Sequence, residues 1–203
     1  MAAYKEFSSW MTTNRIETLV DGVFAIAMTL LVLELAVPQI GGSLSDMAIQ
    51  QALYGVLPKF LAFLLSFILL AVFWTINHRH FYQIKRVDSI LLWINVIWLL
   101  FIVMVPFSES LTGEYGRFTT PHVIFNLNML GISLFLFLNW YYASKKGFID
   151  EKLDPARITS IKRINLAFIL ITLMALVLSF IIPGWSSMTY LLIFPVEYLI
   201  GRQ

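Results

Sequence analysis

One stretch near the amino end constrains this chain more than any other: Arg15-Ile-Glu-Thr-Leu-Val-Asp-Gly-Val-Phe-Ala-Ile-Ala-Met-Thr-Leu-Leu-Val-Leu-Glu34. It is long and apolar enough to cross a bilayer as a helix. Asp21 nevertheless sits well inside it, and a carboxylate at that depth needs partners or water that hydrocarbon cannot supply. The helix therefore calls for a structured environment on the side that carries Asp21.

The rest of the chain has the same character. Hydrophobic residues make up 59% and charged residues 13%, with a mean hydropathy of +0.81. A chain of 203 residues folded in water could not hide that much apolar surface, so the fold class is an all-α integral membrane protein whose solvent is the lipid bilayer. A net charge of +2 is too small to point to nucleic acid. The absence of cysteine excludes disulfides, thiolate metal sites and cysteine nucleophiles.

Six segments are candidate spans, at about 17–37, 53–77, 89–108, 121–143, 160–182 and 186–201. They form one transmembrane domain over residues 1–203. The sixth is short and contains Pro195, so it is the one most open to lying partly in the interface. Pro38 and Gly41-Gly42 end the first, Thr120-Pro121 offers an N-cap and first-turn proline for the fourth, and Pro183-Gly184 stops the fifth. Ser43 and Asp46 have capping-box spacing for a short surface helix within 41–52. Glu34 and Pro38 stand where a cleaved signal peptide would have small residues. All 14 Lys and Arg residues except Lys59 and Arg117 fall at the amino end, between spans two and three or four and five, or at the carboxyl end. With six spans this places both termini in the cytoplasm.

On a helix at 100° per residue, Gly22, Ile26, Thr29, Leu30 and Leu33 share one stripe. Asp21, Ala25, Met28 and Val32 fall on the other side, so Asp21 does not point where Ile26 points. Such a stripe ordinarily packs against lipid or core, and a membrane threonine ordinarily bonds back to its own helix. Other polar groups at the depth of Asp21 argue for more. Trp74, Asn77 and His78 arrive near the cytoplasmic end of span two, and Asn95 lies about two turns into span three. We expect these residues to meet Asp21 in one layer that orients the first helix, with Arg15 closing the network or reaching the headgroups. The apolar stripe then faces a pore. Glu34, Asp46, Glu109 and Glu114 give the opposite side an acidic bias that concentrates cations.

Several of these pieces resemble one known family. Arg15-x-x-x-Leu-Val-Asp21 followed by an apolar helix, Trp74-x-x-Asn77-His78-Arg79-x-Phe81, and Asn95 followed by Pro106-Phe107 are similar to the signature of the transmembrane protein 175 family of lysosomal potassium channels and their bacterial relatives. Leu19 and Val20 stand where that family has Phe-Ser, and Asn77 where one of two adjacent histidines is common. The resemblance implies a single-unit, bacterial-type chain that assembles as a homotetramer in the bacterial plasma membrane. The first helices would surround the axis, with Ile26 as the narrow hydrophobic ring and Thr29 or Leu30, then Leu33, as further layers. It also implies K+ and other monovalent cations as the permeant species, and no cofactor.

No Thr-Val-Gly-Tyr-Gly loop is present, and a continuous helix keeps its carbonyls bonded internally, so any preference for K+ over Na+ should be weak. Two other classes fit parts of the pattern: a proton channel or proton-coupled transporter relaying through Asp21 and His78, and a non-conducting membrane scaffold. Ser/His/Asp, paired-carboxylate and metal-ligand spacings are absent, so an enzyme is not expected.

Overall fold

The structure is a computed structural model that describes residues 12–201. Lys5, Arg202 and the chain ends used above for orientation lie outside the described residues. Within them all regular structure is helical, apart from one isolated bridge between Ile84 and Ile149.

Helix α1 (Thr13–Leu30) continues into a 3-10 turn over Leu31–Glu34. Helix α2 (Asp46–Gln83) is one unbroken element of 38 residues, about 57 Å at 1.5 Å per residue, and so it overreaches a hydrocarbon core of roughly 30 Å. The separate surface helix expected within 41–52 does not exist as such. Its residues are the first turns of α2, whose N-cap is Ser45 rather than Ser43; the Ser45 hydroxyl accepts the Ala48 N–H at 3.2 Å.

The third segment is split at Met104 into α3 (Ser89–Val103) and α4 (Val105–Tyr115). Pro106 explains the break, because it has no N–H to offer the carbonyl of Ile102. The halves stay joined through Met104 N–H to Leu100 O and Ser108 N–H to Met104 O. Helix α5 (Thr119–Lys145) starts two residues earlier than its proline suggested, with Phe118 rather than Thr120 as N-cap. Helix α6 (Pro155–Leu178) is capped by Asp154, whose carboxylate accepts the Ala156 N–H at 2.9 Å.

The sixth segment differs from the expected helix over 186–201. It is built in three pieces: α7 (Pro183–Ser186), a 3-10 stretch over Ser187–Leu192, and α8 (Ile193–Gly201). The two prolines account for the pieces, since each lies in the first turn of a helix, where a missing N–H costs nothing. Among the described residues, five helical stretches are long and apolar enough to cross a membrane: Thr13–Glu34, Asp46–Gln83, Ser89–Tyr115, Thr119–Lys145 and Pro155–Leu178.

Helix α5 is the hub. Gly131 lets it approach α3 so closely that a Cβ there would sit 2.4 Å from the Phe101 ring. Buried polar groups tie it to its neighbours. Asn139 Nδ2 donates to Asn95 Oδ1 at 2.7 Å, and Trp98 Nε1 of α3 donates to Ile132 O at 3.1 Å. Ser133 and Thr172 hydroxyls meet at 3.0 Å. Asn126 bonds Ser179, Ser186 and Tyr190, which anchors the start of the sixth segment to the end of α6. At the other end of the bundle, Lys85 N–H bonds Phe148 O and Asp150 N–H bonds Gln83 O, clamping the α2–α3 turn to the α5–α6 loop. Gly147 takes a positive φ of 64° there, a conformation that costs glycine least.

Candidate functional site

Helix α1 is packed on one side only. Ile16, Val20, Phe24 and Ala27, with Leu31 just beyond, are buried in the core. Their spacing of four, four, three and four residues keeps them on one face. Phe24 meets Trp98 with ring centroids 5.4 Å apart. The stripe of Gly22, Ile26, Thr29, Leu30 and Leu33 is exposed on the far side, with Ile26 at 62% and Leu33 at 72%. Thr29 Oγ1 donates to its own helix, within 2.9 Å of Ala25 O and Ile26 O. Donating the proton leaves its lone pairs available to accept.

Asp21 lies on neither face. It is exposed on the flank between core and stripe, and accepts from Trp74 Nε1 at 2.8 Å. Trp74 stacks on His78 at 5.9 Å, and His78 Nδ1 comes within 3.9 Å of Glu17 Oε2. The observed group is therefore Asp21, Trp74, His78 and Glu17. It braces α1 against α2 from the side. Glu17 was not anticipated, although four residues before Asp21 on a helix is the spacing that shares a flank.

The single layer expected around Asp21 is corrected at Asn95. That side chain is buried, donating to Leu91 O and accepting from Asn139, so it belongs to the α3–α5 seam. It bears on α1 only indirectly, by fixing the helix whose Trp98 receives Phe24. Asn139 carried no signal beyond being polar at membrane depth. Asn77 is buried on α2, and its Nδ2 makes no hydrogen bond among the described residues. Arg15 is exposed at the start of α1. Val20 occupies the core face, where an apolar side chain serves packing, and not the flank that carries Asp21.

At the opposite end of α1, Glu34 borders a small cavity of about 30 Å³ with Lys59, Glu109 and Glu114. Lys59 Nζ pairs with Glu114 Oε2 at 2.7 Å, while Glu109 is buried and its Oε2 has no hydrogen-bond partner among the described residues. The acidic bias is therefore partly neutralised locally. Asp46 stands apart as the first residue of α2.

Taken together, a long-helix bundle with apolar outer faces and internal asparagine seams defines a polytopic α-helical integral membrane protein. A family model described as "Endosomal/lysosomal potassium channel TMEM175" matches residues 15–106. A protein named as a potassium channel from Streptomyces collinus is 31% identical over 157 residues, covering 74% of this chain and 75% of that one. The crystal structure of a "lysosomal potassium-selective channel TMEM175 homolog" from Chamaesiphon minutus superposes with a TM-score of 0.80 at 30% identity, over 93% of this chain and 97% of that one. A Gallus gallus protein named as an endosomal/lysosomal proton channel is 28% identical over 112 residues, and the match spans 22% of that longer chain. The chain belongs to the TMEM175 family of ion channels.

Proposed function

We propose that the chain is one subunit of a homotetrameric, K+-permeable cation channel whose pore is lined by the exposed stripe of α1. One observation carries this reading: α1 has a complete core face and, on its far side, an apolar face that its own subunit leaves bare. In a symmetric ring that bare face is the one that turns to the axis. Bacterial relatives named as potassium channels support the choice of ion.

The Ile26 side chains form the narrowest ring and close the path by excluding water. Thr29 lone pairs offer partial coordination just beyond, and Leu30 and Leu33 extend the apolar lining. No backbone carbonyl is free to replace the hydration shell, so K+ is preferred over Na+ only weakly. Asp21 and Trp74 hold the angle of α1. Glu34 draws cations to the mouth.

The sixth segment completes the subunit as a crossing. Its first piece shares Asn126 of α5 with Ser179 at the end of α6, and Glu197 in α8 pairs with Arg79 near the end of α2, so it runs back along α6. Thirteen α-helical and six 3-10 residues extend about 31 Å end to end, the thickness of a hydrocarbon core. An even number of crossings puts both termini on the side rich in Lys and Arg, the cytoplasm.

Proteoliposome flux tests the reading. The parent protein should pass K+ somewhat faster than Na+, and Ile26→Asn should raise both by wetting the ring. Flux that is unchanged by Ile26→Asn would refute the assignment of the pore. A proton pathway is the second reading, because Glu17, His78 and Asp21 gather around Trp74 and an animal relative carries the proton-channel name. Currents that follow pH rather than K+, and that vanish in His78→Ala, would favour it.

A further inference from the structure

The bundle contains a second feature that conduction does not use. At the end opposite the clamped α2–α3 turn, between α2, α4, the start of α5 and the α7 segment, lies a cavity of about 580 Å³. That is within the size range of small-molecule sites, which are mostly apolar with a few convergent polar groups. Its walls are graded. Lys59, Glu114, Arg117 and His122 line the polar end. Leu65 of α2 and Phe125 of α5, also in the wall, lie about one to two helical turns deeper than Lys59 and His122. A polar end that passes into an apolar one fits an amphiphile.

One wall residue is almost wholly buried yet half bonded. His122 is 7% exposed, and its Nε2 lies 2.9 Å from Gly116 O. A carbonyl only accepts, so Nε2 carries the proton, and in the neutral ring Nδ1 is then a lone pair. That Nδ1 has no hydrogen-bond partner among the described residues. A buried acceptor of this kind is costly unless something donates to it. Arg117 adds the opposite demand. It is exposed, and its guanidinium has no hydrogen-bond or ion-pair partner among the described residues.

We propose that this cavity binds a phospholipid with a primary-ammonium headgroup, of the phosphatidylethanolamine class. The wall offers one unanswered cation, Arg117, beside two acceptors, His122 Nδ1 and the carboxylate of Glu114. Its complement is an anion and an N–H donor on the same headgroup: a phosphodiester for the guanidinium and an ammonium for the acceptors. Lys59 does not tip the balance toward a net anion. It pairs with Glu114 and also lines the small cavity that holds Glu34 and Glu109, so its charge is answered by acids. A choline headgroup has the phosphate but no N–H, and a glycerol headgroup has no cation. Leu65, Phe125 and Met188 offer the deeper apolar wall to an acyl chain. The proposal does not depend on conduction.

The test reconstitutes the full chain in vesicles of equal parts phosphatidylethanolamine, phosphatidylcholine and phosphatidylglycerol with matched acyl chains. The protein is then extracted in detergent and retained lipid is quantified by mass spectrometry. Phosphatidylethanolamine should be retained about tenfold over either competitor. Arg117→Gln, which breaks no side-chain bond among the described residues, should cut that enrichment about fivefold. Ala62→Phe, which fills the cavity from α2, should abolish it without removing a charge. Lys145→Gln with Lys146→Gln, at the far end of the bundle, should leave it unchanged. Equal retention of phosphatidylcholine overturns the proposal, since the N–H donors would then go unread. Equal retention of phosphatidylglycerol overturns it too, because only the phosphate would count. So does an enrichment that survives both Arg117→Gln and Ala62→Phe, which would put the lipid elsewhere. Soluble phosphoethanolamine that raises the melting temperature of delipidated protein as much as the lipid does would mean a site for a free metabolite, and the lipid assignment would fall.

Discussion

Helices α1 and α5 both cross the bilayer, and they use their surfaces in opposite ways. Helix α5 buries most of its circumference: Asn126, Asn128, Ser133 and Asn139 among its polar residues, with Phe125, Met129, Ile132, Leu136 and Trp140 between them, and leaves only the side of Leu127 and Leu134 exposed. Helix α1 buries four residues on one face and leaves the rest to its surroundings. The helix at the centre of the subunit is thus the one that holds it together. The helix at its edge is the one free to become the centre of an assembly. Membrane helices gain little from hiding apolar surface, since lipid is as apolar as leucine. Buried polar pairs therefore decide which helices lock, and α5 has several where the buried face of α1 has none.

This contrast can be broken by experiment, most severely at α5. Asn126→Leu would strip partners from Tyr190, Ser179 and Ser186 at once, and should cost roughly 2–4 kcal/mol, read as a large fall in detergent melting temperature and loss of the assembled species. Gly131→Ala drives a methyl into the Phe101 ring and should cost about 1–3 kcal/mol by the same assay, with Gly131→Leu worse. Just past α1, Leu33→Ser should change the stability of the dissociated subunit by no more than about 0.5 kcal/mol while altering flux. A loss there as large as that at Asn126 would mean that the stripe is core, and the contrast would collapse.

Two smaller effects sharpen it. Trp74→Phe keeps the ring but removes the 2.8 Å bond to Asp21. It should cost about 1 kcal/mol or less and lower open probability before it changes ion preference; a change in preference with normal assembly would place Asp21 in the ion path. The smallest belongs to the loop that clamps the α2–α3 turn. The Asp150 carboxylate is held below its ordinary range, first by the Lys152 N–H it accepts at 3.0 Å and then by Lys85. Its contribution is complete above the ordinary carboxylate pKa and is lost as pH falls through the lowered value. Asp150→Asn should flatten that slight acid dependence of melting and leave neutral-pH stability nearly unchanged.

Much of the site was legible because α1 obeys one period. Residues 22, 26, 29, 30 and 33 share a face by helical arithmetic alone, and the structure leaves that face bare. Asp21 with Trp74 and His78 also followed, since two aligned helices bring equal depths together. Asn95 did not follow, because depth says how far along a helix a residue lies and not which neighbour it meets. The partner in α5 was chosen by Gly131 and by the rotation of α3, neither of which is written in the spacing. The continuous α2 was missed for a related reason: a helix that leaves the bilayer continues in water on capping and propensity, so apolar length marks the crossing and not the element.

What the chain determined by itself was its solvent, its five long apolar helices and the division of α1 into an acid flank and an apolar stripe. These follow from hydropathy and from 3.6 residues per turn, which act locally. Tertiary structure alone decided which asparagines pair, where the sixth segment breaks and bonds, and that the core takes Phe24 while it leaves Ile26 outside. Those outcomes depend on the relative rotation of helices distant in sequence, which packing and buried hydrogen bonds set only once the bundle has formed.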